Sequence, residues 1–92
     1  MAKSNKAFTY IVHCVTGQYY TGYTTNIERR LWEHNSSNKG AKYTRYRRPV
    51  KLVYCKEFDS KSEAMKHESY IKSLSRNKKI QLINAYLEKC VD

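Results

Sequence analysis

Two short segments near the start of the chain have the apolar and polar pattern of extended backbone. Residues 8–15 and 18–23 are rich in β-branched and aromatic side chains, and the pair Thr16-Gly17 separates them. Such segments, joined by so few residues, are typical of two paired strands. The pattern therefore predicts a β-hairpin over residues 8–23.

The turn decides which side chains of this hairpin share a face. A type I′ turn would force the β-branched Thr16 to a positive φ, which is costly, whereas a loop over residues 15–17 gives that conformation to Gly17. With the loop over residues 15–17, Tyr10 and Tyr20 are diagonal neighbours on one face of the sheet. A type II′ turn at Gly17-Gln18 remains the alternative and would place them on opposite faces.

Helical spacing follows the hairpin. Residues 25–28 fit a capping box with Thr25 as the N-cap, and Ile27, Leu31 and His34 recur at intervals of three or four. This pattern predicts a helix over about 26–36. A polar loop over residues 36–48 comes next, and residues 50–57 alternate as a third strand that Pro49 precedes.

The last third of the chain predicts two further helices. Ser60 and Glu63 form a second capping box, which opens a helix to about residue 73. A final helix begins near Ser75 and carries Ile80, Ile83 and Leu87 on one face. The predicted order is β-β-α-β-α-α, an α+β fold in which helices flank a small three-stranded sheet. We expect one domain over residues 1–92 with a core at about 8–83.

Charge points to a polyanionic partner. The 92 residues include 18 Lys and Arg against 8 Asp and Glu, a net charge of +10. No acidic residue occurs over 34–56, where basic and tyrosine side chains alternate. Such residues contact phosphates and stack on unpaired bases, although a merely solvated loop has the same composition. The predicted nucleic-acid contacts are Lys39, Lys42, Tyr43, Arg45, Arg47 and Arg48.

Cysteine usage indicates a reducing compartment. The 3 cysteines are widely spaced and form no CxxC pair, which disfavours a disulfide framework or a structural zinc site. The spacing gives no support to a metal site built from His13, Cys14, Cys55 and His67. Without a signal peptide or a long apolar segment, we expect a cytoplasmic protein with no membrane association.

Three residues on the predicted helices are candidates for catalytic or metal-binding roles. Arg30 and His34 are four residues apart and so share a face of the first helix, as an ordinary solvated pair also would. Glu68 lies on the same stripe as Ala64 and Ile71, where a carboxylate needs a cation, a metal ion or a place at the edge of the stripe.

These residues together resemble the GIY-YIG endonuclease family. Phe8-Thr9-Tyr10 and Tyr20-Thr21-Gly22 lie on successive strands, Arg30 and His34 follow, and Glu68 begins Glu-Ser-Tyr-Ile-Lys. The resemblance is to small stand-alone bacterial members related to the nuclease domain of structure-specific resolvases. Phe8 replaces the first glycine of the family pattern, and Thr21 replaces the isoleucine of its second motif. The family's late asparagine has two candidates, Asn77 and Asn84.

The resemblance implies an endonuclease that hydrolyses phosphodiester bonds in DNA, including branched or flapped forms, with RNA as another possible substrate. It implies a divalent cation such as Mg²⁺ on Glu68 and a phosphate contact from Arg30. Tyr10 would be the general base if a nearby cation lowered its pKa, Tyr20 would orient water or phosphate, and His34 would support Tyr20 or shuttle a proton. We expect a monomer. A non-catalytic nucleic-acid-binding module on the same fold is the alternative.

Overall fold

A computed structural model describes residues 6–36 and 47–90 of the chain. These two ranges contain three strands and three helices in the predicted order, so the α+β prediction is confirmed. No helix in these two ranges is long and apolar enough to cross a bilayer. The elements are β1 (Ala7–Cys14), β2 (Tyr19–Thr24), α1 (Ile27–Ser36), β3 (Val50–Phe58), α2 (Lys61–Lys72) and α3 (Arg76–Cys90).

The hairpin has the register that the loop over residues 15–17 predicts. Gly17 has a φ of 100°, and its backbone N–H donates to the carbonyl of Cys14 at 2.8 Å. Val12 pairs with Tyr20, and the rings of Tyr10 and Tyr20 lie on one face with centroids 6.4 Å apart. The type II′ alternative is therefore excluded.

Strand β1 is the centre of an antiparallel sheet with the order β2-β1-β3. Because side chains alternate along a strand, β1 contributes to two cores. On one face Tyr10 and Val12 pack with Val50, and the half-buried Ile27 and Leu31 of α1 cover them. The second core, on the other face, consists of Ile11, Val53, Tyr54, Ile71 and Ile83.

The two predicted helix caps have different outcomes. Ser60 is the N-cap of α2, where its side chain accepts from the backbone N–H of Glu63, as predicted. The prediction of Thr25 as the N-cap of α1 is wrong. Asn26 caps the helix, because its Oδ1 accepts from the backbone N–H of Arg29 at 3.0 Å. The backbone N–H of Asn26 in turn donates to Thr24 Oγ1 at 3.2 Å.

The carboxyl end of α1 is joined to the start of β3 by side-chain hydrogen bonds. The Asn35 amide donates to the carbonyl of Val50 at 3.1 Å and accepts from its N–H at 2.7 Å. Arg48 donates from Nε to the carbonyl of His34 and from Nη2 to that of Glu33. These bonds satisfy backbone groups at the helix end and fix α1 against the sheet.

Candidate active site

Tyr10 is the centre of a buried hydrogen-bond network. Its side chain projects from the middle of β1 toward α1 and is only 2% exposed. Its hydroxyl oxygen lies 2.8 Å from His34 Nε2 and accepts from Arg30 Nε at 3.4 Å. The four-residue spacing on α1 thus brings the arginine and the histidine to one atom, the phenol oxygen.

His34 contacts both Tyr10 and Tyr20 of the hairpin. Its Nε2 lies 2.8 Å from the hydroxyl oxygen of Tyr10. Whether it supports Tyr20 or shuttles a proton stays a prediction. The Tyr20 ring meets the imidazole edge-on, with centroids 5.3 Å apart. Burial and the positive charge of Arg30 lower the pKa of His34 to about 4. The imidazole is therefore neutral at pH 7 and has one nitrogen lone pair.

Two opposing effects act on the pKa of Tyr10. The hydrogen bond and charge of Arg30 do lower the pKa of the phenol, as the resemblance requires. Burial acts in the opposite direction and is the larger effect, so the pKa of Tyr10 is raised to about 12. Arg30 alone therefore does not make Tyr10 a phenolate at neutral pH.

Arg30 is held at two points. Its Nε donates to Tyr10, and its Nη1 lies 3.1 Å from the Glu33 carboxylate, with both side chains largely buried at 23% and 16% exposure. Sequence reasoning did not identify Glu33. The signal was available, because Glu33 follows Arg30 by three positions and so lies beside it on the helix.

Gly22 leaves the space that the Tyr10 ring occupies. The two residues are cross-strand partners, and the tyrosine ring lies directly over the glycine. A Cβ atom at Gly22 would lie 2.7 Å from the Tyr10 hydroxyl oxygen and 3.2 Å from a ring carbon of Tyr20. Only a residue without a side chain leaves room for both rings. The sequence contained this glycine in its motif but did not indicate what it accommodates.

The network opens into a cavity of about 410 Å³ between β2, α1 and α2. Tyr10, Tyr20, Arg30 and Glu68 all line it, so the structure brings four of the five predicted site residues to one cavity wall. The fifth, His34, is fully buried behind Tyr10. Sequence reasoning missed two basic side chains of the lining, Arg29 and Lys61.

Glu68 is the candidate metal ligand. Its carboxylate is 19% exposed and lies 3.6 Å from the ammonium group of Lys72, while Ala64 and Ile71 of the same stripe are fully buried. It therefore lies at the edge of the apolar stripe, facing the cavity. Within the described residues no three His, Cys, Asp or Glu side chains form a metal-binding group, which also leaves the Cys/His site without support.

The predicted nucleic-acid contacts fall in two groups. Lys39, Lys42, Tyr43 and Arg45 lie outside the described residues. Arg47 is half-buried, and Arg48 is hydrogen-bonded to the end of α1, a structural role that the charge pattern did not reveal. The two candidate asparagines, Asn77 and Asn84, are exposed on α3 and do not line the cavity.

The sequence and the fold of this chain are similar to those of known proteins. A UPF0213 protein of Staphylococcus saprophyticus is 54% identical over 80 residues, which cover 87% of this chain and 96% of that protein. A UPF0213 protein of Bacillus halodurans, solved by NMR in solution, is 50% identical with a TM-score of 0.57, covering 87% of this chain and 84% of its own. An NMR structure from E. faecalis is 43% identical with a TM-score of 0.61, covering 94% and 91%. Residues 6–81 match the profile described as the GIY-YIG catalytic domain. Since the matched span contains the whole tyrosine, arginine, histidine and glutamate arrangement, the chain belongs to the GIY-YIG nuclease family.

Proposed function

We propose that this chain is a metal-dependent endonuclease that hydrolyses phosphodiester bonds in DNA, including branched or flapped forms. One observation carries the proposal. The Tyr10 hydroxyl is held between a neutral imidazole and a guanidinium at the wall of a cavity that a carboxylate also lines. Hydrolysis of a phosphodiester needs these three kinds of group, which take up a proton, stabilise negative charge and bind a metal ion.

Proton transfer from the attacking water would proceed through a relay. In the protein without a bound cation the pKa of Tyr10 is about 12, so the phenol carries its proton at pH 7 and is not itself the final proton acceptor. Its oxygen accepts the proton of the water while its own hydrogen passes to Nε2 of His34. The water oxygen then forms its bond to phosphorus as the bond to the leaving oxygen breaks. The leaving oxygen takes a proton from solvent, and His34 returns its proton to solvent through the Tyr10 hydroxyl, which restores the neutral imidazole.

Arg30 would stabilise the charge that grows on the non-bridging phosphate oxygens. Its Nη1 lies against Glu33 at the cavity, where a phosphate can replace or share that contact. Glu33 thereby orients the guanidinium before substrate arrives. Tyr20, whose ring lies on the same face as that of Tyr10, would orient the water or the phosphate.

The residues present fit a hard divalent cation such as Mg²⁺. This ion keeps several waters and uses one or two carboxylates together with substrate phosphate oxygens, and Glu68 offers one carboxylate at the cavity. When bound, Mg²⁺ would supply Lewis-acid stabilisation of the phosphoryl oxygens. When no metal ion is bound, the Lys72 ammonium group, 3.6 Å from the Glu68 carboxylate, balances its charge.

Binding of the nucleic acid backbone would rely on basic side chains around the cavity. Arg29 and Lys61 line it, and Arg47 precedes β3. Lys39, Lys42, Tyr43 and Arg45 would extend these contacts, and Arg48 would contribute charge from its position at the end of α1. With a net charge of +10, affinity should fall steeply with salt.

The experiment is a cleavage assay with Mg²⁺ on duplex, flap, junction and single-stranded DNA, with EDTA as the blank. Tyr10→Phe removes one hydroxyl and should lower the rate by at least about 10²-fold. Tyr86→Phe is the control, because burial also raises the pKa of Tyr86 to about 12 and it does not line the cavity.

The outcome separates the enzyme from its alternative. Cleavage that Tyr10→Phe loses and Tyr86→Phe keeps supports the proposal. A protein that binds these substrates and cuts none of them would instead be a nucleic-acid-binding module on the same fold. Equal cleavage by both variants would remove Tyr10 from the reaction.

A further inference from the structure

A second group of rings lies on the side of α2 that faces away from the cavity. We define the aromatic surface as Phe58 at the end of β3, His67 and Tyr70 of α2, and the lysines Lys56 and Lys66. Four of them, all but Lys56, line a shallow cavity of about 390 Å³ together with Glu63. Tyr70 is two residues from Glu68, which places it about 200° around the helix from the metal-ligand candidate.

Two of the three rings of this surface are stacked, and the third, Phe58, is tilted against His67 by 51°. His67 and Tyr70 lie nearly parallel, with an interplanar angle of 22° and centroids 5.7 Å apart. Phe58 lies 5.1 Å from His67. The His67 imidazole is held by a hydrogen bond, since the hydroxyl of the buried Tyr54 lies 2.9 Å from its Nε2. Tyr70 is 56% exposed, so this side chain is accessible to a ligand from solvent.

Basic side chains accompany the rings. Lys56 places its ammonium group 5.5 Å from the centre of the Phe58 ring, and Lys66 lies exposed beside the stack. Glu63 is the acidic member of the lining. Exposed aromatic rings beside lysines are what proteins use to bind single-stranded nucleic acid, where bases stack on the rings and ammonium groups contact the phosphates.

We propose that the aromatic surface binds unpaired bases of a nucleic acid strand, which gives this protein a second contact with the single-stranded arm of its substrate. Bases inside a duplex are already stacked and do not present their faces, so the surface distinguishes unpaired from paired segments. This inference rests on the proposed function only in taking nucleic acid as the substrate.

The test measures binding without catalysis. A short fluorescent oligothymidylate and a duplex of equal length are titrated by anisotropy in EDTA. Tyr70→Ala should weaken oligothymidylate binding about tenfold, the effect of removing one base–ring stack, with duplex binding changed less than about twofold. Tyr70→Phe keeps the ring and should bind as the parent does. Trp32→Ala is the matched control, because Trp32 is an equally exposed ring, at 60%, on a different helix.

A spectroscopic variant reports stacking directly. The chain has a single tryptophan, so Trp32→Phe combined with Tyr70→Trp moves the only indole to the aromatic surface. Oligothymidylate should then quench its emission, and the duplex should not. Unchanged affinity in Tyr70→Ala would overturn the proposal and leave the surface to another class of partner, such as a peptide. A loss of affinity in Trp32→Ala equal to that in Tyr70→Ala would also overturn it.

Experiments can refute the nuclease proposal and the aromatic-surface proposal independently of each other. If the parent protein cuts no substrate but Tyr70→Ala loses oligothymidylate binding, the aromatic surface stands without the nuclease. If the parent protein cuts DNA and Tyr70→Ala binds oligothymidylate normally, the nuclease stands without the aromatic surface.

Discussion

Replacing Gly22 with alanine tests whether the position of the Tyr10 hydroxyl controls the chemistry. The new Cβ would lie 2.7 Å from that oxygen and 2.9 Å from the ring carbon that bears it. Ordinary carbon contacts are 3.5–4.0 Å, so the ring must move by roughly 1 Å. Tyr10 is 2% exposed and bonded to His34, so this movement costs about 1–3 kcal/mol of stability and breaks the alignment of the relay.

The expected decrease in rate is larger than the decrease in stability explains. A displacement of about 1 Å at a reacting group lowers the rate by about 10²-fold. We therefore expect Gly22→Ala to remain folded at room temperature, to melt roughly 4–20 °C earlier, and to cleave about 10²-fold more slowly. Urea unfolding and single-turnover cleavage with Mg²⁺, measured on the same preparation, provide both numbers.

Gly17→Ala is the control matched for stability. Gly17 has a φ of 100°, so alanine there is strained by about 1–2 kcal/mol, yet nothing lies within 4 Å of its added Cβ. It should destabilise the fold to a similar degree and leave cleavage unchanged. Equal rates in the two variants, whether both fast or both slow, would refute the link between the Tyr10 position and activity.

Three further predictions concern charge. Glu68→Ala should lower the cleavage rate by about 10³-fold or more. It should cost less than about 1 kcal/mol of stability, since it removes only an ion pair with the half-exposed Lys72. An early melting transition would make Glu68 structural instead. The pKa of His34 falls from 6.5 in the unfolded chain to about 4 when folded, so the unfolded chain binds more protons and stability should fall by roughly 3 kcal/mol as pH drops through that range. Urea titrations should show that His34→Gln lacks this part of the pH dependence, and equal pH dependence in parent and variant would contradict it. Replacing Arg45 and Arg47 together with glutamine should lower the salt slope of DNA binding by about one for each phosphate that these arginines neutralise, whereas Lys78→Gln should not; a slope equal to that of the parent would mean that the arginines are only solvated.

The features that depend on local backbone chemistry were predictable. The steric cost of a positive φ at Thr16 selected the loop that places Gly17 there, and this loop fixed the shared face of Tyr10 and Tyr20. Local reasoning did not distinguish Thr25 from Asn26 as the cap of α1. Both residue types cap helices, and the side chain of the preceding strand residue, Thr24, is placed against the nitrogen of Asn26.

The features that depend on tertiary distance were not predictable. Helical spacing placed Arg30 and His34 on one face but could not say that the Tyr10 hydroxyl would lie within hydrogen-bonding distance of both. The pKa of Tyr10 depends on a balance between burial and Arg30, and only packing gives the size of the first effect. Arg48 looked like one basic residue among several in the sequence, because its partners are backbone carbonyls of a helix that ends about a dozen positions earlier.

The junction of Asn35 with Val50 fixes the end of α1 to the start of β3. The amide side chain pairs with that residue as a neighbouring strand would, so the two ends of the connection from α1 to β3 are fixed independently of what lies between them. Lengthening a connection whose ends are already fixed costs little, since closure entropy grows only with the logarithm of length. If residues 37–46 bind the substrate, as their basic composition predicts, insertions or exchanges there can therefore change which substrate is held while Tyr10 and His34 keep their positions.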